Sequence, residues 1–227
     1  MDEQRTSSIA PKNPKQVICV FCGSSQGKNS EFMESARELA HAFHQNNVSL
    51  IYGGGTCGLM GELAKVLTSL SGPDAVHGII PAPFVRHENS DFETDISLLL
   101  PDKKIYGKTT VVKNMHERKQ LMISEVLSGA PGSGFIALPG GYGTMEELME
   151  MTTWNGLGIH DKGVVVFNIQ GYWSNLLSWV ENAVESGFIS ANTGAVIKEA
   201  KTADQCIQLL KTYKCEEGRL RLDWNDL

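Results

Sequence analysis

Apolar residues along the chain fall into short runs separated by stretches with helical spacing. The runs are QVICVFC (16–22), VSLIY (48–52), AVHGII (75–80), GFIALP (134–139) and GVVVFN (163–168). They are nearly continuous and rich in β-branched residues, as expected of strands buried on both faces of a parallel sheet. Helical spacing between them predicts helices near 30–45, 58–70, 106–128, 144–157, 172–186 and 203–213. Strands alternating with helices imply an α/β fold: a single doubly wound, Rossmann-like domain over 16–227, with a mostly parallel sheet and helices on both faces. Residues 1–15, MDEQRTSSIAPKNPK, are polar, aperiodic and carry two prolines. A disordered N-terminal tail is expected there.

In a doubly wound sheet, ligands bind at the carboxyl ends of the strands. Three predicted strands end in glycine turns: Cys22-Gly23-Ser24-Ser25, Tyr52-Gly53-Gly54-Gly55-Thr56-Cys57-Gly58, and Pro139-Gly140-Gly141-Tyr142-Gly143-Thr144. A glycine turn opening a helix holds anions, through bare N–H groups and the positive end of the helix dipole. Yet the third turn runs into Met145-Glu146-Glu147-Leu148-Met149-Glu150, with three carboxylates.

Composition narrows the ligand. A formal charge of −6 over 227 residues argues against a general nucleic-acid or membrane binder, so an anion needs a local positive patch. Segment 103–119 holds Lys103, Lys104, Lys108, Lys113, Arg118 and Lys119. Most of these suit a solvated helix face, but the adjacent Arg118 and Lys119 could clamp a phosphate. No apolar run approaches the roughly 18 residues of a membrane span. Five scattered cysteines without a secretory signal point to a reduced, cytoplasmic protein. Cys19 and Cys22 lie three apart on a strand and so face opposite ways, which suits packing better than metal or redox chemistry. There is no H-E-x-x-H.

Standard nucleotide signatures fail. Gly53-x-Gly55-x-x-Gly58 matches the dinucleotide fingerprint, but the next strand ends in Ile79-Ile80-Pro81 instead of an acid. Gly23-Ser24-Ser25-Gln26-Gly27-Lys28 is one residue short of a P-loop, and Gly107-Lys108-Thr109 lacks the upstream glycine. Thr144 and Glu147 read as a capping box. Helical spacing then buries Met145, Leu148, Met149 and Thr152, leaving Glu146, Glu147, Glu150 and Thr153 on the other side. Capping and solvation alone would account for the acids. A nucleoside monophosphate accounts for cradle, Arg-Lys pair and carboxylates together, with phosphate on the turn and ribose opposite a carboxylate.

Over about 16–213, the chain resembles the LOG ("lonely guy") cytokinin-activating phosphoribohydrolases. PGGYGTMEE and MHERK match the two family signatures, and VFCGSSQGK, YGGGTCGLMG and TWNGLGIHDKGVVVFNIQGYW follow in family order. The resemblance implies hydrolysis of the N-glycosidic bond of N6-modified adenosine 5′-monophosphate, giving the free base and ribose 5-phosphate. It implies Arg118 and Glu147 as the catalytic pair. Substrate contacts would come from Gly23, Ser24, Gly54, Lys119, Gly140, Gly141, Tyr142, Gly143, Thr144, Met145, Glu146 and Thr153. Glu88, after Pro81, stands where the family has a substrate-contacting glutamate. No metal or organic cofactor is implied, although members are often labelled lysine decarboxylases. The implied state is a homodimer or larger assembly, with sites near the subunit interface.

Two segments depart from the compact family pattern, 89–114 and LSGAPGSG (127–134), and both are expected to flank the site. The N6 substituent is therefore open, an unmodified adenine nucleotide included. The alternative is a non-catalytic nucleotide or molybdenum-cofactor carrier of the same fold, which would keep the cradle but need neither Glu147 nor its pairing with MHERK.

Overall fold

The computed structural model describes residues 15–89 and 96–215, the side chains of 87–89 excepted. The tail expected at 1–15 lies outside the described residues except for Lys15, as do the last residues of the expected domain, 216–227.

Seven strands form one sheet: β1 (Val17–Phe21), β2 (Ser49–Tyr52), β3 (Val76–Pro81), β4 (Lys108–Val112), β5 (Gly134–Ala137), β6 (Gly163–Phe167) and β7 (Ile197–Ala200). Their order is β4-β3-β2-β1-β5-β6-β7, and every neighbouring pair is parallel. The helices are α1 (Ser30–Gln45), α2 (Gly58–Ser71), α3 (Ala82–Asn89), α4 (Lys103–Tyr106), α5 (Met115–Leu127), α6 (Tyr142–Gly156), α7 (Ser174–Glu185), α8 (Ala191–Gly194) and α9 (Ala203–Thr212).

Both faces of the sheet are covered, so successive strand residues enter different cores. Ile18 and Val20 pack with Leu39 and Phe43 of α1, Leu63 and Leu67 of α2, and Ile207 and Leu210 of α9. Cys19 and Phe21 pack on the opposite face with Met122 and Val126 of α5, Leu148 and Met151 of α6, and Trp173. Cys19 and Cys22 fall in opposite cores, as their spacing requires.

Two strands were not anticipated. The expected helix over 106–128 divides into β4 and α5, the latter starting where Asn114 Oδ1 accepts a hydrogen bond from the Glu117 N–H at 2.9 Å. β7 is likewise new. Both are sheet edges with one neighbour each, and edge strands tolerate charged residues such as Lys108, Lys198 and Glu199 that hide a strand's apolar signature.

From β1 the chain winds one way through β2, β3 and β4, and the other way through β5, β6 and β7. The reversal opens a crevice at the carboxyl ends of β1 and β5. LSGAPGSG does not flank it: Ser133 Oγ accepts from the Val17 N–H at the amino end of β1, on the opposite edge of the sheet. A loop leading into a parallel strand must lie at that amino edge.

Candidate active site

Backbone hydrogen bonds join the two strand ends at the crevice. The Leu138 N–H donates to Phe21 O at 2.9 Å and the Gly23 N–H to Pro139 O at 3.0 Å. The approach at Gly140 is so close that a Cβ there would stand 2.0 Å from Thr144 Oγ1; only glycine fits. Gly141 and Gly143 differ, for a Cβ on either would meet nothing within 4 Å. Their backbone lies bare at the start of α6, where the first-turn N–H groups have no helical acceptors.

α6 begins at Tyr142 with Gly141 as its N-cap and no side-chain cap. The capping-box reading is thereby corrected: Thr144 is inside the first turn and Glu147 one turn further on. The buried face is also rotated from the expected one. Thr144, Glu147, Leu148, Met151 and Asn155 are buried, while Met145, Met149 and Thr152 are half-buried. The helix starts two residues earlier than expected, and packing by Leu148 and Met151 turns Glu147 inward, only 7% exposed.

Arg118 meets it from the first turn of α5. Its Nη2 lies 3.1 Å from Glu147 Oε1, and its Nε donates to Ile79 O at 3.2 Å. The ion pair lacks an aligned N–H, so Glu147 Oε1 is buried without a hydrogen-bond donor. Burial pushes the Glu147 carboxyl above the ordinary range, Arg118 pulls it partly back, and Glu146 pushes it up again.

The cleft around this pair holds about 440 Å³. Gly23, Ser24, Gly53, Gly55, Gly141, Gly143 and Thr144 line its polar side, and Met60, Ile80, Phe84 and Met115 its apolar side. The apolar wall was not anticipated, although Phe84 at 50% and Met115 at 38% exposure are large apolar residues opening helices beside expected site residues. Cys22 also lines the cleft. Burial and the neighbouring Glu147 push its thiol far up, so it stays protonated and is no nucleophile.

Other expected site residues lie elsewhere. Lys119 turns away from the cleft and donates to Glu146 Oε1 at 2.5 Å and Glu150 Oε1 at 3.1 Å. Gly54, at φ +79°, closes against Ile80, whose Cβ would be 2.9 Å from a Cβ at 54. Met145 packs against the α5–α6 core. Tyr142 and Thr153 are exposed on α6. Glu88 falls within α3, and its side chain lies outside the described residues. Among the described residues, no helix is long and apolar enough to cross a membrane.

A family profile described as "Possible lysine decarboxylase" matches residues 60–210. The chain is 41% identical over 202 residues to a cytokinin riboside 5′-monophosphate phosphoribohydrolase of Arabidopsis thaliana, covering 88% of this chain and 85% of that protein. It is 44% identical over 221 residues to a bifunctional cytokinin biosynthesis protein of Fusarium pseudograminearum, covering 96% of this chain but only 45% of that protein. Among solved structures, the molybdenum cofactor carrier protein of Chlamydomonas reinhardtii superposes with a TM-score of 0.57 at 17% identity, over 87% of this chain and 96% of that one. At that identity the likeness is one of fold.

The decarboxylase description calls for pyridoxal phosphate, carried as a Schiff base on a lysine amine. The residues do not fit it. Among the described residues lining the cleft none is a lysine, and nearby Lys119 is held by two carboxylates that keep its ammonium protonated above the usual range.

Proposed function

Because this chain belongs to the LOG family of phosphoribohydrolases, we propose that it hydrolyses the N-glycosidic bond of adenosine 5′-monophosphates, N6-modified ones above all, releasing the free base and ribose 5-phosphate. The observation that carries this reading is Glu147 Oε1: a buried carboxylate oxygen with no donor, beside a bare helix start and an arginine. A buried acceptor left unpaired is costly and marks a site where a donor is to arrive.

The phosphate is held on the N–H groups opening α6, as anions are at helix starts. The base lies along Met60, Ile80, Phe84 and Met115, a wall suited to an apolar N6 substituent. Breaking the bond leaves positive charge on the ribose ring, which the Glu147 carboxylate stabilises. A water placed on Glu147 adds its oxygen to C1′ and gives up a proton to the carboxylate, while the bonding electron pair leaves with the purine, which takes a proton from solvent to become the neutral base. The raised affinity of Glu147 for protons makes it a better base than an ordinary glutamate. Arg118 cannot give up a proton at working pH; it orients Glu147 and the nucleotide by charge.

The test is chromatography of products after incubating the pure protein with AMP and with N6-isopentenyladenosine monophosphate. Free base and ribose 5-phosphate are expected, and absence of both overturns the reading. A carrier would bind the nucleotide and return it intact. We read the working form as a homodimer or larger, which light scattering on the eluting protein checks.

A further inference from the structure

Arg118 and Lys119 are consecutive on α5, so their side chains leave it about 100° apart. Arg118 enters the cleft, whereas Lys119 crosses to α6 and lies between Glu146 and Glu150. Those two acids bracket Glu147, one residue before it and three after. Glu150 and Glu147 also border one small space of about 10 Å³ behind the site, closed by Phe21, Met122 and Met151. Glu150 Oε2 is buried there without a partner. Three carboxylates thus crowd one side of α6, and like charges in one site disfavour one another's ionisation. Lys119, with only 18% of its side chain exposed, is poorly screened and acts on all three.

We propose that Lys119 is a positioning residue: clamped between Glu146 and Glu150, it fixes α6 against α5 and neutralises the acids flanking Glu147, so that Glu147 can serve as a buried anion. This rests on the hydrolase reading above, and it gives Lys119 a role other than the substrate contact that the family resemblance implies. The groups facing Glu147 are Arg118 and Lys119 from α5, Glu146 and Glu150 from its own helix, and the thiols Cys19 and Cys22 from β1. Of these, Arg118 and Lys119 both favour the Glu147 anion directly, Arg118 the more strongly, and Lys119 also offsets the two acids it holds.

The experiment follows the Glu147 carboxyl by NMR in protein labelled with ¹³C-glutamate, without nucleotide, the resonance being assigned by its loss in Glu147→Gln. Lys119→Met should move the titration upward, because a nearby positive charge that favours the anion is lost. Lys119→Arg should leave it near the wild-type value. The triple variant Lys119→Met/Glu146→Gln/Glu150→Gln should bring it down again, to the wild-type position or below, because the two acids that raise it are gone as well. The acid limb of kcat should move with it, with KM little changed. An unmoved titration in Lys119→Met overturns the proposal, as does a KM increase that persists in the triple variant, since that marks direct nucleotide contact. If Lys119→Met does not fold, Glu146→Gln/Glu150→Gln reads the same coupling with Lys119 in place. Glu147 should then titrate lower, and no shift overturns the idea. The carboxyl titration needs no substrate, so its outcome is separate from that of the product chromatography.

Discussion

Gly53 lies beneath the guanidinium of Arg118, so close that a Cβ at 53 would stand 2.5 Å from Nη2 and 3.0 Å from Met60 Sδ. Gly53 has no positive φ, so the glycine is required by this close approach and not by backbone conformation. The end of β2 thereby sets where the arginine of α5 can sit.

Gly53→Ala should therefore fold, since the atoms it meets are the ends of two flexible side chains. It should nevertheless push Arg118 away from Glu147. A displacement of about 1 Å can cost roughly 10²-fold in rate. We expect a kcat loss approaching that size with a melting temperature near wild type, measured on one preparation. A large fall in melting temperature with normal kcat would place the role of Gly53 in folding.

Glu147→Gln keeps the shape and removes the charge. If the carboxylate acts on charge present only in the transition state, kcat should fall about 10²–10³-fold with nucleotide affinity little changed. Steady-state kinetics with a direct binding measurement separates the two quantities. Equal losses in both would mean that Glu147 only binds.

Burial raises the folded-state pKa of Glu147 above its unfolded value, about 4.3 for a free glutamate. Between the two values the folded protein binds more protons than the unfolded chain, so this group's contribution to stability is present at low pH and lost as pH rises through the folded pKa. Glu147→Gln lacks that dependence. The melting temperature of the variant relative to wild type should increase with pH across this window, and a constant difference would contradict the assignment. Turnover should run the other way, falling as pH drops through the same raised pKa.

The phosphate should be required. Hydrogen bonds to a charged group contribute roughly 1.5–3 kcal/mol each, and the first turn of α6 offers Tyr142, Gly143 and Thr144 N–H groups that precede its first helical donor, the Met145 N–H bonded to Gly141 O. Two such bonds give at least ~3 kcal/mol, or about 10²-fold. Adenosine and its N6-isopentenyl form should lose at least ~10²-fold in kcat/KM relative to their monophosphates. Equal cleavage of both would sink the phosphate assignment.

Much of this could be read from the order of residues alone. The five interior strands announced themselves as runs such as VICVF and GVVVF, because a strand buried on both faces has no polar position to confuse its pattern. The glycine turns ending β1, β2 and β5 located the crevice, because a doubly wound sheet must open at its carboxyl edge. The edge strands KTTVV and IKEA escaped because each has one neighbour and tolerates charge. What only the tertiary structure decided was rotation. Glu147 faces inward because α6 packs with Leu148 and Met151 against the sheet, and Arg118 enters the cleft while Lys119 turns away because α5 packs with Met122 and Val126 there. A helix's rotation is set by the surface it packs on, and the adjacent acids and bases of MHERK and TMEE suit either face until that surface exists.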